Sequence, residues 1–558
     1  MAYQDLQQLL AALDRTGQLH RVKTTVSPML EISEITDRIS KSPAASVSQH
    51  ARQFDPGHAH LGGQALYFEN VESASMPLVI NTLGSYRRME MVLGCEDGGF
   101  EALAQKVGEL AKPQPPVGLM NKVRKGLELA KVAQLPPKVV RSGQCQEVVK
   151  TGEEVDLFEL PTIKCWPDDG DPRKAGFSLD PAAAGTEAGE GRYITLGGMY
   201  TIHPDDAGKP DNEPRPSRNI GMYRAQIIGK HQTAMHWHMH HDGARHWRAW
   251  KEIGKPMPLA IALGGESVLP YAATAPMPPG LSELLFAGFL HGSAIPLVRC
   301  KTIDMHVPAN AEIVIEGHVS TDAGFTDYNP DKIDANGQSE PIGKGAVFEG
   351  PFGDHTGFYS LPDRYPIFDV SAMTHRKSPV YPTTIVGWPP QEDYYMGKAT
   401  ERLFLPLLQT IVPDIIDYHL PMFGSFHNCA FLQIKKEYPL QARRVMHAIW
   451  GAGQMAWTKM LIIVDHDVNV HDQEEVLFHL CANIDPGRDM ELINGPLDIL
   501  DHAAARLAAG QKLGFDATAK WPGEEVNGQP VRHWPERIEM DAQTKAYVDR
   551  RWHEYGFK

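Results

Sequence analysis

Residues 218–240 read Arg-Asn-Ile-Gly-Met-Tyr-Arg-Ala-Gln-Ile-Ile-Gly-Lys-His-Gln-Thr-Ala-Met-His-Trp-His-Met-His. Two β-type runs lie in this stretch, 223–228 and 233–240, rich in the branched and aromatic side chains that suit a pleated surface. Similar runs occur on either side, at 192–200, 297–300 and 312–316. Polar segments rich in Gly, Pro and Asp interrupt them at 181–191, 204–217 and 321–345. Many short strands separated by polar loops predict a β-barrel or split-barrel core for residues 118–375.

Outward from this core the pattern changes. Leu6, Leu9, Leu10 and Leu13 share one face of a predicted packing helix. Residues 42–63 lack periodicity and read as an exposed insertion. Strand-like runs follow at 65–69 and 77–80, then a helical pattern from Gly98 to Leu110. Lys112-Pro113-Gln114-Pro115-Pro116-Val117 breaks the chain and marks a boundary. Residues 1–117 therefore read as an N-terminal α/β domain. In residues 376–558, helical patterns at 400–412, 440–456 and 473–483 alternate with strands at 430–434 and 460–464. That alternation predicts an α/β domain with some parallel strands. A last helix, near 541–554, is placed to pack on a neighbouring subunit.

A chain of 558 residues exceeds what one core supports, so two or three domains are expected. Its 42% apolar and 22% charged residues are ordinary for a globular protein. A net charge of −15 without a basic patch argues against a nucleic-acid partner. Cys95, Cys145, Cys165, Cys300, Cys429 and Cys481 are scattered, which reads as reduced thiols in a cytoplasmic protein. The N-terminus has no secretory pattern, and no apolar stretch is long enough to span a membrane. At most, peripheral contact with the inner membrane is expected.

Four segments carry chemistry. In Asn219–Arg224, Gly221 would allow a close approach to a ligand, and Arg224 offers a planar fork suited to a carboxylate or phosphate. A strand arginine without a ligand fits as well. In His236-Trp237-His238-Met239-His240-His241, strand alternation would send 236, 238 and 240 to one side. Such histidines serve as metal ligands or as core residues. Ala275-Pro276-Met277-Pro278-Pro279-Gly280-Leu281-Ser282-Glu283 is a rigid loop leading into a helix capped by Ser282. Glu283 reads either as a first-turn acid favoured by the helix dipole or as a hard oxygen ligand. Asn219, His240 and Glu283 together would suit Mn2+ or Mg2+. Glu349-Gly350-Pro351-Phe352-Gly353-Asp354-His355-Thr356-Gly357 holds two carboxylates in a Gly/Pro loop. It is a polar turn, or a pair whose split pKa values store and deliver a proton.

Two patterns are set aside. Gly451-Ala452-Gly453-Gln454-Met455-Ala456 matches a dinucleotide fingerprint, but a helical segment precedes it where a strand is required. Asp465, Asp467 and Asp472 read as a strand-end turn in preference to a second metal site.

Taken together, the segments resemble the UbiD family of reversible, non-oxidative decarboxylases. The resemblance rests on N-x-G-x-Y-R at 219–224, Trp237 with His240, P-x-x-L-S-E ending in Glu283, and E-G-P-x-G-D-H-T-G at 349–357. Leu30-Glu31-Ile32, the segment 155–166 and Gly514-Phe515-Asp516-Ala517-Thr518-Ala519-Lys520-Trp521-Pro522-Gly523 extend it along nearly the whole chain. Within the family, the sequence is most similar to the 4-hydroxy-3-polyprenylbenzoate decarboxylases of ubiquinone synthesis. It departs from them in polar insertions near 42–63, 181–191 and 321–345.

The resemblance implies a central flavin-reductase-like split β-barrel and a C-terminal α/β oligomerisation domain that forms homodimers or homohexamers. It implies prenylated FMN, supplied by a UbiX-type flavin prenyltransferase. Asn219, Gly221, Met222, Tyr223, Arg224, Met239, His240, Pro276 and Glu283 would bind this cofactor. Its phosphate would be held through Mn2+ or Mg2+ on Asn219, His240 and Glu283, with K+ nearby. Arg224, Glu349 and Asp354 would carry the chemistry. Asp354 would supply the proton that replaces CO2, and for that a raised pKa is expected. Two other readings remain open: a decarboxylase of another aromatic or α,β-unsaturated acid in degradation, and a flavin-binding scaffold without activity.

Overall fold

The computed structural model describes residues 2–111, 135–171, 190–211, 213–238, 241–277, 282–322, 345–526, 528 and 530–557. At its centre six antiparallel strands close on themselves. They are β1 (Tyr193–Thr201), β2 (Asn219–Gly229), β3 (Gln232–His236), β4 (Met257–Gly264), β5 (Ala311–Val319) and β6 (Asp363–His375). Their order is β5-β4-β1-β2-β3-β6, and β6 pairs back onto β5. Closure leaves no strand edge open.

Period-two patterning fixes the two faces of each strand. Leu259, Ile261 and Leu263 of β4 join one apolar cluster with Ile313 and Ile315 of β5. The intervening Ala260 and Ala262 join a second cluster with Val314. Both faces of the barrel wall are therefore covered, which accounts for the nearly unbroken apolar runs in its strands.

The N-terminal region adds a four-stranded sheet in the order Leu19–Val22, Ala65–Phe68, Leu78–Ile80, Tyr381–Pro382. The helix Leu6–Arg15 buries Leu6, Leu9, Leu10 and Leu13, the face expected from their spacing. Residues 42–63 correct the expectation of an exposed insertion. Ala51, Phe54 and Ala59 are buried in the N-terminal core. The buried Asp55 carboxylate accepts hydrogen bonds from the hydroxyls of Tyr86 and Tyr394. A few spaced apolar residues and one paired carboxylate anchor this segment, a signal too sparse to show as periodicity. The boundary at 112–117 and nearly all of the 181–191 and 321–345 insertions lie outside the described residues.

The C-terminal sheet runs Ile415–His419, Cys429–Ile434, Met460–Asp465, Ala509–Asp516, Met490–Pro496. Its inner pairings are parallel and its outer ones antiparallel. Ala430, Leu432, Leu461 and Ile463 pack on Val445 and Met446 of the helix Gln441–Ile449. Phe431, Ile462 and Val464 pack on the other side with Val476 of the helix Gln473–Asn483. Parallel strands covered on both faces explain the continuous apolar runs there. The helix Gln441–Ile449 precedes Gly451, and Asp472 caps the helix Gln473–Asn483, so both patterns set aside above are structural. The terminal helix Ala542–Arg551 buries none of its residues. No helix among the described residues is long and apolar enough to cross a membrane.

Candidate active site

Arg224 on β2 stands directly opposite His236 on β3. Both reach Glu349, the last residue of a short strand, Ala346–Glu349, that pairs with β6. Arg224 Nε donates to Glu349 Oε1 at 2.7 Å and Nη2 donates to Oε2 at 3.1 Å. Nη1 donates to Asp354 Oδ2 at 2.6 Å, and Nη2 also donates to Ser360 Oγ at 3.0 Å. A guanidinium has five N–H donors. Four are committed, which leaves one N–H on Nη1. The Phe352 ring lies 4.5 Å from the guanidinium carbon and covers one of its faces.

The loop that carries Phe352 and Asp354 is tied down from several sides. Gly350 N–H donates to Gln226 Oε1 at 3.0 Å. Gly353 N–H donates to Asp169 Oδ1 at 2.8 Å. A Cβ on Gly353 would fall 2.1 Å from the Trp166 ring, so only glycine fits there.

The electrostatics follow from this packing. Burial alone would raise the Glu349 carboxyl, but Arg224 and His236 hold it down at about 2. Burial acts on Asp354 in the same way, and the His355 hydrogen bond with the Arg224 charge pushes it well below the usual carboxylate range. The expected raised pKa of Asp354 is therefore corrected. A guanidinium shared between two carboxylates stabilises both as anions and does not split their pKa values. Burial and the Arg224 charge lower the His236 imidazole. A neutral His236 thus donates from Nδ1 to Glu349 Oε2 at 2.8 Å. Its Nε2 is buried without a partner among the described residues.

These groups sit beside a cavity of about 350 Å³, a volume suited to a small-molecule or cofactor site. Met222, Tyr223, Arg224, His236, Asp354 and His355 line it, together with His427 and Asp498 from the C-terminal region. Glu349 lies behind Arg224 and is fully buried. Gly221 and Pro276 are not among the lining residues. A Cβ on Gly221 would fall 2.2 Å from the Tyr223 ring.

Glu283 starts the helix Glu283–His291, with Ser282 as its cap. Ile220 N–H donates to Glu283 Oε2 at 3.2 Å, and the Asn219 side chain adds a further hydrogen bond. Burial pushes the Glu283 carboxyl up to about 7. No basic side chain is paired with it among the described residues. A buried carboxylate beside a carboxamide, with no cation, is the environment that a hard divalent ion would satisfy. Two of the three expected ligands are therefore adjacent and fit such an ion. His240 and Met239 lie outside the described residues.

The strand expected at 233–240 ends at His236. Beyond it, His241 N–H donates to the His238 carbonyl at 3.0 Å, and His238 N–H donates to His241 Nδ1 at 3.1 Å. The two rings stack 4.8 Å apart, and His241 precedes the helix Asp242–Glu252. The His236 and His238 rings lie 5.1 Å apart and line the same cavity, as the alternation expected of 236 and 238 requires. Sequence reasoning assigned no role to Ser360 or to His355, although His355 adjoins Asp354. It also missed that His236 serves Glu349, a pairing that only the β2–β3 register reveals.

Three family models match the chain in order. They are the N-terminal domain (residues 10–107), the Rift-related domain (138–389) and the C-terminal domain (394–517) of 3-octaprenyl-4-hydroxybenzoate carboxy-lyase. An uncharacterized protein from Aquifex aeolicus is 40% identical over 556 residues, covering 100% of this chain and 99% of that protein. Another, from Archaeoglobus fulgidus, is 38% identical over 556 residues, covering 99% of each. The fold is similar to that of vanillic acid decarboxylase from Sedimentibacter hydroxybenzoicus in closed form. The TM-score is 0.75 at 22% identity, covering 100% of this chain and 99% of that one. The UbiD-class enzyme HmfF from Pelotomaculum thermopropionicum, in complex with FMN, gives 0.67 at 24% identity over 97% and 98% of the two chains. Apo 3,4-dihydroxybenzoic acid decarboxylase from Klebsiella pneumoniae gives 0.64 at 18% identity over 98% and 99%.

Proposed function

Because the chain belongs to the UbiD family of carboxy-lyases, we propose that its Arg224 site decarboxylates an aromatic acid on a prenylated FMN, reversibly and without net oxidation. The observation that carries this reading is the placement of Arg224 between Glu349 and Asp354 at the wall of a 350 Å³ cavity. The remaining Nη1 N–H is the group that receives the substrate carboxylate. Glu349 and Ser360 hold the guanidinium still while it does so, and the Phe352 ring keeps water from one of its faces.

Asn219, His240 and Glu283 are the proposed holders of the cofactor phosphate, through Mn2+ or Mg2+. Met222 and Tyr223 are the proposed contacts of the ring. When bound, the cofactor supplies the electron sink that a departing carboxylate needs on an aromatic carbon. Asp354 gives the proton that takes the place of CO2. A UbiX-type flavin prenyltransferase is the proposed supplier of the cofactor. The exposed Tyr547, Trp552 and Phe557 around the unpacked C-terminal helix support a homo-oligomer.

The lead substrate is 4-hydroxy-3-polyprenylbenzoate. Phe358, Leu361 and Trp388 are large, apolar and exposed near the loop that carries Asp354, and would suit a polyprenyl tail. One observation favours a second reading, a small hydroxylated benzoate. The cavity wall carries His238, His241, His427, Gln454 and Asp498, which suit polar ring substituents. Vanillic and 3,4-dihydroxybenzoic acids, named for two proteins of similar fold, have such substituents. A panel of prenylated and unprenylated hydroxybenzoates, offered to cofactor-loaded protein, separates the two. Turnover confined to unprenylated acids would overturn the lead substrate.

A further inference from the structure

Asp354 presents a problem that its own geometry poses. Its Oδ2 is held 2.6 Å from Arg224 Nη1, so the resting side chain is a carboxylate with no proton to give. One proton must nevertheless enter for every CO2 that leaves. The group beside it is His355. His355 Nδ1 lies 3.2 Å from Asp354 Oδ1, and the His355 backbone N–H donates to the same oxygen at 2.8 Å. Asp354 therefore offers one oxygen to Arg224 and the other to His355.

The far side of the imidazole is also informative. His355 Nε2 is buried and has no hydrogen-bond partner among the described residues. Buried ring nitrogens are seldom left so. His355 lines the 350 Å³ cavity and also a second cavity of about 10 Å³, shared with Asp393, Tyr394, Lys398 and Ser425. The smaller space holds about one water. Asp393 lines both cavities as well.

We propose that His355 is the proton store of this site: it passes its Nδ1 proton to Asp354 Oδ1, and Asp393 recharges it through a water in the small cavity. The proposal rests on the decarboxylase reading above. The balance is simple. The electron pair of the broken carbon–carboxyl bond becomes the new C–H bond, and CO2 leaves neutral. The proton of that bond comes from Asp354, which takes one from His355. Solvent replaces it by way of Asp393. No oxidant or reductant enters.

The charges around the ring support the arrangement. Burial lowers the imidazole, but the hydrogen bond and charge of Asp354, then the charges of Asp498 and Asp393, raise it to about 9. Burial pushes the Asp393 carboxyl up to about 7. The basic groups nearby are His427, which faces Asp498 and whose imidazole is lowered by burial, and Lys398, which lines the small cavity. His355 thus acts through Asp354 and is a positioning and proton-supplying residue.

Two measurements test this. In full-length protein labelled with 15N-histidine, the resonance lost in His355→Gln or His355→Asn should titrate above pH 8. A ring that is neutral at pH 7.5 overturns the proposal. In cofactor-loaded enzyme with 4-hydroxybenzoate and 4-hydroxy-3-prenylbenzoate as probes, His355→Gln should lower turnover at least tenfold and abolish the alkaline limb near pH 9. Unchanged turnover with an unchanged limb also overturns it. A wild-type holoenzyme inactive on both probes would count against the substrate reading, while the first measurement still decides the state of His355.

Discussion

Arg224 binds Glu349 through both carboxylate oxygens, at 2.7 and 3.1 Å, in a pair that is almost fully buried. Lysine has a single donor head and cannot reproduce that fork. In Arg224→Lys, kcat on an accepted acid should fall roughly 10²–10³-fold. Steady-state kinetics on cofactor-loaded variant and wild type measure this, and a loss confined to KM would contradict the assignment.

Glu349→Gln breaks the same pair from the other side. Removing one partner of a buried ion pair costs roughly 3–5 kcal/mol. The folded pKa of Glu349 is depressed to about 2 from an ordinary 4.5. Its stabilisation is therefore complete above the ordinary value and is lost as pH falls toward 2. Urea denaturation should show a gap between wild type and variant that is widest above pH 5 and narrows steadily below it. A gap that stays constant from pH 6 to pH 3 would refute the linkage.

Glu283→Gln should lose bound divalent metal and, with it, the flavin. In the apoprotein the Glu283 carboxyl rests at about 7, and a metal ligand must be deprotonated. Affinity for Mn2+ should therefore rise with pH up to about 7 and level off above. Titration calorimetry of the wild-type apoprotein, with metal analysis of the variant, reads both effects. Pre-treatment with a chelator should mimic the variant.

Gly221→Ala would place a methyl 2.2 Å from the Tyr223 ring. Rigid crowding of this kind costs roughly 1–3 kcal/mol. Tyr223 lines the cavity, so the variant should bind flavin more weakly as well as melt earlier. Thermal melts and flavin fluorescence test this together. Lost stability with intact flavin affinity would show that Tyr223 does not touch the cofactor.

Much of the fold was legible because the barrel strands are apolar on both faces, as at 257–264 and 311–319. The proposed catalytic group was legible because Arg224, Glu349 and Asp354, which the fold brings into contact, lie in short motifs with fixed spacing. What escaped was set by contacts distant in sequence. Asp55 is buried by tyrosines 31 and 339 residues away. The β3 strand stops at His236 because His238 and His241 bond to each other. The Asp354 carboxyl is lowered and not raised because the neighbouring His355 bonds to it and because the Arg224 charge, brought in from β2, lies beside it; the second of these is not encoded around 349–357.

The central claim is that this site releases CO2 from an aromatic acid. The most direct test is to co-express the chain with a UbiX-type prenyltransferase and incubate it with carboxyl-13C-labelled hydroxybenzoates, prenylated and unprenylated, following evolved 13CO2 by mass spectrometry. The account predicts 13CO2 from at least one acid, with the signal lost in Asp354→Asn. Cofactor-loaded wild-type protein that evolves no 13CO2 from any of them, or an Asp354→Asn variant that evolves it at the wild-type rate, would contradict it.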